Sequence, residues 1–160
     1  MFKKFGEFDS WEELNKAAAA QLAEGDTQAV LAIAEENGID KEDAQDYIEG
    51  IAGELCSPLM AALGKLKAEA EELELFGEFE LYQMLIQQEC QEDPEFTLAV
   101  RKKGKTLTGC LGKLLKTASK NRKKIPDTIA KAAGIPENIY TGALTKREAL
   151  DIIRNYYKEA

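Results

Sequence analysis

The sequence is poor in the side chains that most enzymes use for nucleophilic and metal chemistry. Its 160 residues include no histidine, and the three cysteines, Cys56, Cys90 and Cys110, form no Cys-x-x-Cys pair. Without imidazole, neither a serine–histidine nor a cysteine–histidine nucleophile pair can be built, and an odd number of distant cysteines argues against a thiolate metal cage. We therefore predict that the protein is not an enzyme and has no catalytic residue, metal ligand or cofactor. The thiols are expected to serve as small apolar side chains.

Long hydrophobic runs are also missing. No apolar stretch approaches the roughly 20 residues that a membrane-spanning helix needs. The first residues are followed by acidic side chains and not by the apolar segment of a signal peptide, so we predict no signal peptide. Apolar residues nevertheless make up 44% of the chain, which is ordinary for a globular protein. We expect a folded cytoplasmic protein that does not contact a membrane.

Apolar residues recur at helical spacing along most of the chain, whereas no segment alternates with a period of two for long enough to predict a sheet. Good helix caps punctuate this pattern, such as Ser10 before the first helix and Ser57 before a helix that starts with proline. These signals predict an all-α protein of about eight or nine short helices, with room for one minor hairpin near residues 135–144. The apolar stripe from Ala44 to Leu55 predicts a single helix.

A break in the pattern separates two regions of the chain. Residues 76–78, Phe-Gly-Glu, interrupt the helical spacing and are predicted to form a linker. Before the linker lies an acidic amino-terminal helical region, residues 1–75, and after it a carboxyl-terminal helical domain, residues 79–160, which contains a basic helix. A chain of this length can form either one sizeable domain or two small ones.

The charged residues are distributed unevenly. Residues 1–100 contain 6 basic and 24 acidic side chains, a net charge of −18, whereas residues 101–160 contain 15 basic and 5 acidic ones, a net charge of +10. The sign changes abruptly after Val100, and no acidic residue occurs between Arg101 and Lys124. Such asymmetry predicts either two complementary faces of one protein or two separate electrostatic partners.

Each charged region supplies a candidate binding surface. An acidic surface can imitate nucleic-acid phosphates in a cationic channel, and the candidate residues on the helix after Asp40 are Glu42, Asp43, Asp46 and Glu49. A basic turn and the amphipathic helix after it would bind a partner or nucleic acid through Arg101, Lys102, Lys103, Lys105, Lys113, Lys116, Lys120, Arg122, Lys123 and Lys124. Two alternatives stay open, namely that the acidic face is only solvated and that the protein's own acidic half neutralises the basic patch.

Several segments of the sequence together resemble a known family. They are residues 5–15 (FGEFDSWEELN), 36–40 (ENGID), 42–44 (EDA), 55–66 (LCSPLMAALGKL), 100–107 (VRKKGKTL), 132–135 (AAGI) and 152–157 (IIRNYY). In this order they resemble the PcfK-like family, small proteins encoded on conjugative plasmids and integrative elements of Gram-positive bacteria. The likeness spans most of the chain and is weakest near residues 68–80.

The resemblance implies a non-enzymatic accessory protein of a mobile genetic element. It extends to a group of anti-CRISPR proteins that inhibit the type II RNA-guided effector nuclease, and such a nuclease holds its nucleic acids in positively charged channels. A protein or nucleoprotein partner of this kind is therefore expected, and an acidic helical surface would fit it. The alternative is a nucleic-acid-binding accessory protein of conjugative transfer that uses the basic patch at residues 101–124.

Overall fold

The computed structural model describes residues 3–159 and shows the predicted all-α fold. Among these residues, no helix has both the length and the apolar character that a membrane crossing requires. The elements in chain order are α1 (Trp11–Ala23), α2 (Thr27–Glu36), α3 (Lys41–Ile48), α4 (Pro58–Leu73), α5 (Glu78–Glu92), α6 (Pro94–Arg101), α7 (Leu107–Lys120), β1 (Lys123–Lys124), α8 (Asp127–Ala132), β2 (Tyr140–Thr141) and α9 (Lys146–Lys158).

The two short strands differ from the predicted hairpin. They pair antiparallel with Lys123 opposite Thr141, and the helix α8 lies between them in the chain. Only β2 falls within residues 135–144. Its partner β1 lies much earlier in the chain, soon after the end of α7. The N–H group of Ile125 donates to the carbonyl of Ile139 at 2.8 Å and extends the pairing by one bond.

Polar caps at the helix starts explain why several of these segments are helical. In each case a side-chain oxygen accepts a hydrogen bond from a backbone N–H group in the first turn, which a helix start otherwise leaves without a partner. At α9, Glu148 also returns a bond to the cap and completes a capping box. These capping residues are Ser10, Asp26, Ser57, Asp93, Thr106 and Thr145.

Helix α3 is shorter than its apolar stripe predicts. It ends at Ile48, and residues 50–55 are not helical. Gly50 adopts a positive φ of 74°, which suits glycine and terminates a right-handed helix. As a result Ile51 is 70% exposed, whereas Leu55 turns back into the core and is 1% exposed.

Two hydrophobic clusters form the core, and α4 contributes to both. Ala61 belongs to the first and Ala62 to the second, because consecutive residues of a helix point about 100° apart. The first cluster comprises Leu14, Ala18, Val30, Ile33, Ala34, Ile39, Ala44, Tyr47, Leu55, Cys56 and Ala61. The second cluster comprises Ala62, Leu66, Tyr82, Ile86, Cys90, Phe96, Ala99, Val100, Leu107, Cys110, Leu111, Leu114, Ala149, Ile153 and Tyr157.

The predicted linker lies at the junction of α4 and α5. Residues 74–77 connect the two helices, and the last linker position is the first residue of α5. Leu66 on α4 and Ile86 on α5 belong to the same second cluster, so the helices on either side of the linker share one core. The division of the chain into regions 1–75 and 79–160 stays a prediction.

The turn after α2 packs directly on the backbone of α4. Gly38 has a φ of 66° and lies so close to Gly64 that a Cβ atom on either glycine would overlap backbone atoms of the opposite segment. On Gly64 this added atom would meet the carbonyl oxygen of Asn37. Glycine at both positions therefore allows the first cluster to approach α4 at backbone distance.

We predict that Gly64→Ala lowers the free energy of unfolding by about 1–3 kcal/mol, because the new Cβ must push the turn after α2 away from α4. The matched control is Gly112→Ala, at a helical position where a Cβ would meet no atom within 4 Å. This control should raise the free energy of unfolding by about 0.5–1 kcal/mol, since alanine favours the helix. Urea denaturation monitored by circular dichroism measures both changes. Equal stabilisation of the two variants would contradict the close contact.

Candidate functional site

The four predicted acidic residues lie together at one exposed helix. Glu42, Asp43 and Asp46 belong to α3, Glu49 is its C-cap residue, and all four side chains are exposed. Their spacings of three and four residues place them on adjacent turns. Gln45 donates a hydrogen bond to Glu49 Oε1 at 2.7 Å, but no cationic side chain among residues 3–159 forms an ion pair with the four. We call this set the acidic face.

A small cleft adjoins the acidic face. It has a volume of about 190 Å³, and its walls include Asp43 and Asp46 together with Glu54 and the buried Cys56. On the opposite side of α3, Ala44 and Tyr47 are buried in the first cluster, which fixes the orientation of the helix. The arrangement thus holds several carboxylates on a packed support, where they can meet a cationic surface without a large ordering cost.

Arg101 does not lie where the sequence predicts. Its side chain is 1% exposed, so it cannot contribute to a surface that meets a partner. The physical reason is its place at the end of α6, where the helix packs between the two clusters and Asn37 accepts a hydrogen bond from the guanidinium. Burial also lowers the pKa of Arg101 from its ordinary value.

Three more predicted basic residues interact with carboxyl or carbonyl oxygens of the same carboxyl-terminal region. Lys105 Nζ donates to the carbonyls of Tyr156 and Glu159 at 2.9 and 2.6 Å, at the end of α9. Lys113 lies 3.6 Å from a carboxylate oxygen of Glu159 and 5.2 Å from the ring centre of Tyr156. Lys124 pairs with Asp127 at 2.8 Å. Cations near the carboxyl end of a helix interact favourably with its dipole. Lys105 and Lys113 therefore stabilise α9.

Four predicted basic residues remain on the outside, and we call them the cationic surface: Lys116, Lys120, Arg122 and Lys123. All four are exposed, and the first two lie four residues apart on α7. Within residues 3–159, no carboxylate pairs with any of them. The cationic surface is therefore available to an anionic partner.

The basic turn between α6 and α7 is a separate site. The side chains of Lys102 and Lys103 are exposed, while their backbone is held in place by two contacts with other segments. The N–H group of Lys103 donates to Asp9 Oδ1 at 2.9 Å, and the carbonyl of Lys102 accepts from Lys65 at 2.7 Å. The structure thus divides the predicted basic patch into a buried residue, internal pairs, a turn and the cationic surface.

Part of the acidic half is neutralised, but by α9 and not by the predicted basic patch. Arg154 binds Glu89 with two hydrogen bonds of 2.6 and 3.0 Å, and Lys158 pairs with Asp93 at 2.6 Å. The pair with Lys158 holds the pKa of Asp93 below its ordinary value. Because Arg154 and Lys158 lie outside the predicted basic patch, these pairs are not the predicted neutralisation of that patch, which stays a prediction.

A buried polar network, which spacing alone did not predict, lies where the two clusters meet. Its charged members are Lys65 and Glu69 on α4 and Arg101 on α6, each at most 4% exposed. Arg101 Nη2 donates to Asn37 Oδ1 at 2.8 Å, and the amide of Asn37 donates to the carbonyl of Ile33 at 2.8 Å. This chain of bonds joins the end of α2 in the first cluster to the end of α6 in the second.

The α4 members of the network position the basic turn. Lys65 lies 2.8 Å from Glu7 Oε1 in addition to its bond with the turn, and Glu69 Oε2 accepts from the N–H group of Leu107 at 2.8 Å, where α7 begins. Burial lowers the pKa of Lys65, which Glu7 opposes. Burial raises the pKa of Glu69, and the Leu107 N–H group and Lys65 partly offset that rise.

The three cysteines are free and buried, in agreement with their predicted apolar role. Burial raises the pKa of each thiol, Cys56, Cys90 and Cys110, to about 12. Thiolates are the nucleophilic form of cysteine. Within residues 3–159, no group of three or more cysteine or acidic side chains is arranged to hold a metal ion.

Comparison with known proteins yields no relative that could extend this interpretation. No family model, curated protein or solved structure matches the chain.

We predict that Glu69→Gln removes a pH-dependent component of stability. Because the folded-state pKa of Glu69 is raised above 4.5, this carboxyl stabilises the fold fully below about pH 4.5 and loses that contribution as the pH rises through the raised pKa. Glutamine retains an oxygen for the N–H group of Leu107. The free energy of unfolding of the wild-type protein should therefore fall, relative to the variant, over that interval.

The measurement is urea denaturation at a series of pH values, with Glu42→Gln as the control for loss of one exposed carboxylate. The groups that face Glu69 are Lys65, Arg101 and Glu7, and all three are unchanged in both variants. Parallel pH profiles of the wild-type protein and Glu69→Gln would contradict the prediction.

Proposed function

We propose that this protein is a non-enzymatic accessory protein of a mobile element that inhibits a type II RNA-guided effector nuclease through its acidic face. The observation that carries the proposal is the exposure of Glu42, Asp43, Asp46 and Glu49 beside one another, with no cationic partner among residues 3–159. Carboxylates arranged in this way compete for the contacts by which a cationic channel holds phosphates.

The resemblance to the PcfK-like family supports the same proposal. Residues 36–40 and 42–44, which carry part of that resemblance, surround the start of α3. A charged surface on a packed helix retains its geometry when it binds. Its charge also accelerates the encounter with an oppositely charged partner. The site of action under this proposal is the cytoplasm, where the nuclease and its guide RNA are assembled.

The direct test is target cleavage by a purified type II effector nuclease loaded with guide RNA. The wild-type protein should reduce the cleavage rate, and Asp46→Lys/Glu49→Lys should weaken the inhibition at least about tenfold, because both changes place repulsive charges in the cationic channel. Both positions lie at the end of α3, where lysine suits the helix dipole. Folding should therefore be retained, which circular dichroism checks.

The matched control is Glu24→Lys/Glu35→Lys. It makes the same change in net charge at two exposed positions near helix ends, outside the acidic face. Inhibition by this control should equal that of the wild-type protein. The proposal is wrong if the nuclease cleaves at full rate in a large molar excess of wild-type protein, or if both double variants lose inhibition equally.

A second candidate function is direct nucleic-acid binding by the cationic surface, as the basic patch predicts. It is favoured by the observation that Lys116, Lys120, Arg122 and Lys123 are exposed and form no ion pair within residues 3–159. We expect these side chains to contact phosphates and not bases. Such contacts supply affinity without sequence preference. This function would serve transfer of the mobile element and does not require a nuclease partner.

We expect the protein to retard DNA or RNA in a gel at low salt if this second function holds. The logarithm of the binding constant should fall linearly with the logarithm of salt concentration, and Lys116→Ala/Lys120→Ala should reduce the slope by about 1–2, one phosphate contact per lysine. Lys113→Ala is the control, because that lysine already contacts Glu159. Absence of any shift at low salt would exclude this function.

A further inference from the structure

An apolar groove runs between the α4–α5 connection and α7, away from the acidic face. It has a volume of about 280 Å³. One wall, the connection wall, consists of Leu73, Leu75, Phe76 and Phe79, and the other, the α7 wall, consists of Thr108, Leu111, Gly112 and Leu115. Its floor is the second cluster, to which Leu111 belongs.

Several large apolar side chains of this groove are open to solvent. Phe76 is 72% exposed, Leu115 is 47% exposed and Leu73 is 37% exposed. The ring of Phe76 makes an edge contact with that of Phe79 at a centroid distance of 5.9 Å. A contiguous exposed apolar patch with charged surroundings is typical of a protein–protein contact. Its charges indicate which partner fits.

The two walls of the groove are flanked by opposite charges. Residues 71–80, which contain the connection wall, include no basic residue, and the exposed Glu74 and Glu78 directly precede Leu75 and Phe79 of that wall. Residues 107–120, which contain the α7 wall, include no acidic residue, and Lys116 and Lys120 are exposed there. Lys113 instead contacts Glu159. Lys116 follows Gly112 by four residues and therefore lies beside the groove on the next turn of α7.

We propose that the groove is the interface of a symmetric homodimer. When two copies face each other across a two-fold axis that runs along the groove, the acidic connection wall of one copy lies over the basic α7 wall of its partner. The apolar residues of both grooves then meet in the centre. An interface of this kind is self-complementary, which a two-fold dimer requires. A two-fold axis across the groove would instead place acid over acid.

Charge complementarity selects a second copy as the occupant. A partner that is acidic throughout would be repelled by the connection wall, and one that is basic throughout would be repelled by the α7 wall. A second copy offers each wall the opposite sign at the correct separation, because the separation is the same in both copies. This inference does not rest on the proposed function, whose acidic face takes no part in it. It does use Lys116 and Lys120, two members of the cationic surface, because both lie on α7.

Gly112→Glu tests the interface without disturbing the monomer. A Cβ at this helical position would meet no atom within 4 Å, so the side chain enters the groove and not the core, and glutamate is a better helix former than glycine. In the dimer the new carboxylate would face the partner's acidic wall. Sedimentation equilibrium should show a dimer for the wild-type protein and at least about tenfold weaker association for the variant.

A charge exchange provides the second arm of the test. Lys116→Glu and Glu74→Lys should each weaken the dimer, whereas the double variant should recover most of the affinity, because the opposite charges face each other again in the dimer. Ile51→Ser is the control, since Ile51 is as exposed as Phe76 but lies outside the groove. Its association should equal that of the wild-type protein.

Two outcomes would overturn the proposal. One is a wild-type protein that stays monomeric up to its solubility limit. The other is a dimer whose association is unchanged by Gly112→Glu and by both single charge reversals. Circular dichroism and urea denaturation of each variant establish that any loss of association occurs in a folded protein.

Discussion

The hydrogen bond between Arg101 and Asn37 couples the two hydrophobic clusters. Both side chains are at most 1% exposed, and removing one partner of a buried charge leaves the other with its full desolvation cost. The bond crosses from the end of α6 to the end of α2 at the same level of α4 where Gly38 and Gly64 touch. The polar contact thus depends on the backbone contact, because Asn37 directly precedes Gly38 and is brought to the guanidinium by the same close approach.

The network around α4 also determines where the charged surfaces lie. Lys65 and Glu69 bind the turn before α7 and its first amide, so the direction of α7 depends on buried groups of α4. The acidic face is oriented by the first cluster, and the cationic surface is oriented by the second. Because α4 belongs to both clusters, it sets the positions of two surfaces of opposite charge that lie far apart in the sequence.

Much of the fold follows from local sequence signals. Caps such as Ser10 and Thr145 and the apolar spacing of α5 and α7 are sufficient to predict helices, because those interactions lie within one or two turns. The predicted end of α3 was wrong because the apolar stripe continues beyond Gly50, whereas the positive φ of Gly50 terminates the helix. The strand β1 was missed because two exposed lysines carry no strand signal.

The candidate sites were less predictable for a physical reason. Exposure of the acidic face follows from helical periodicity within α3, so all four predicted residues lie on the surface. The burial of Arg101 and Lys65 depends on packing between segments that are distant in the chain. The spacing of apolar residues does not predict such packing. A charged residue beside an apolar stripe ordinarily points to solvent, and here tertiary contacts reverse that rule.

The buried thiols make the protein a reporter of its own opening. Alkylating reagents attack thiolates at accessible sulfur, so the modification rate of each cysteine measures how often its surroundings separate. Cys56 lies in the first cluster, and Cys90 and Cys110 lie in the second. Mass spectrometry after a brief exposure to such a reagent would therefore distinguish loosening of one cluster from unfolding of the whole chain, without an added label.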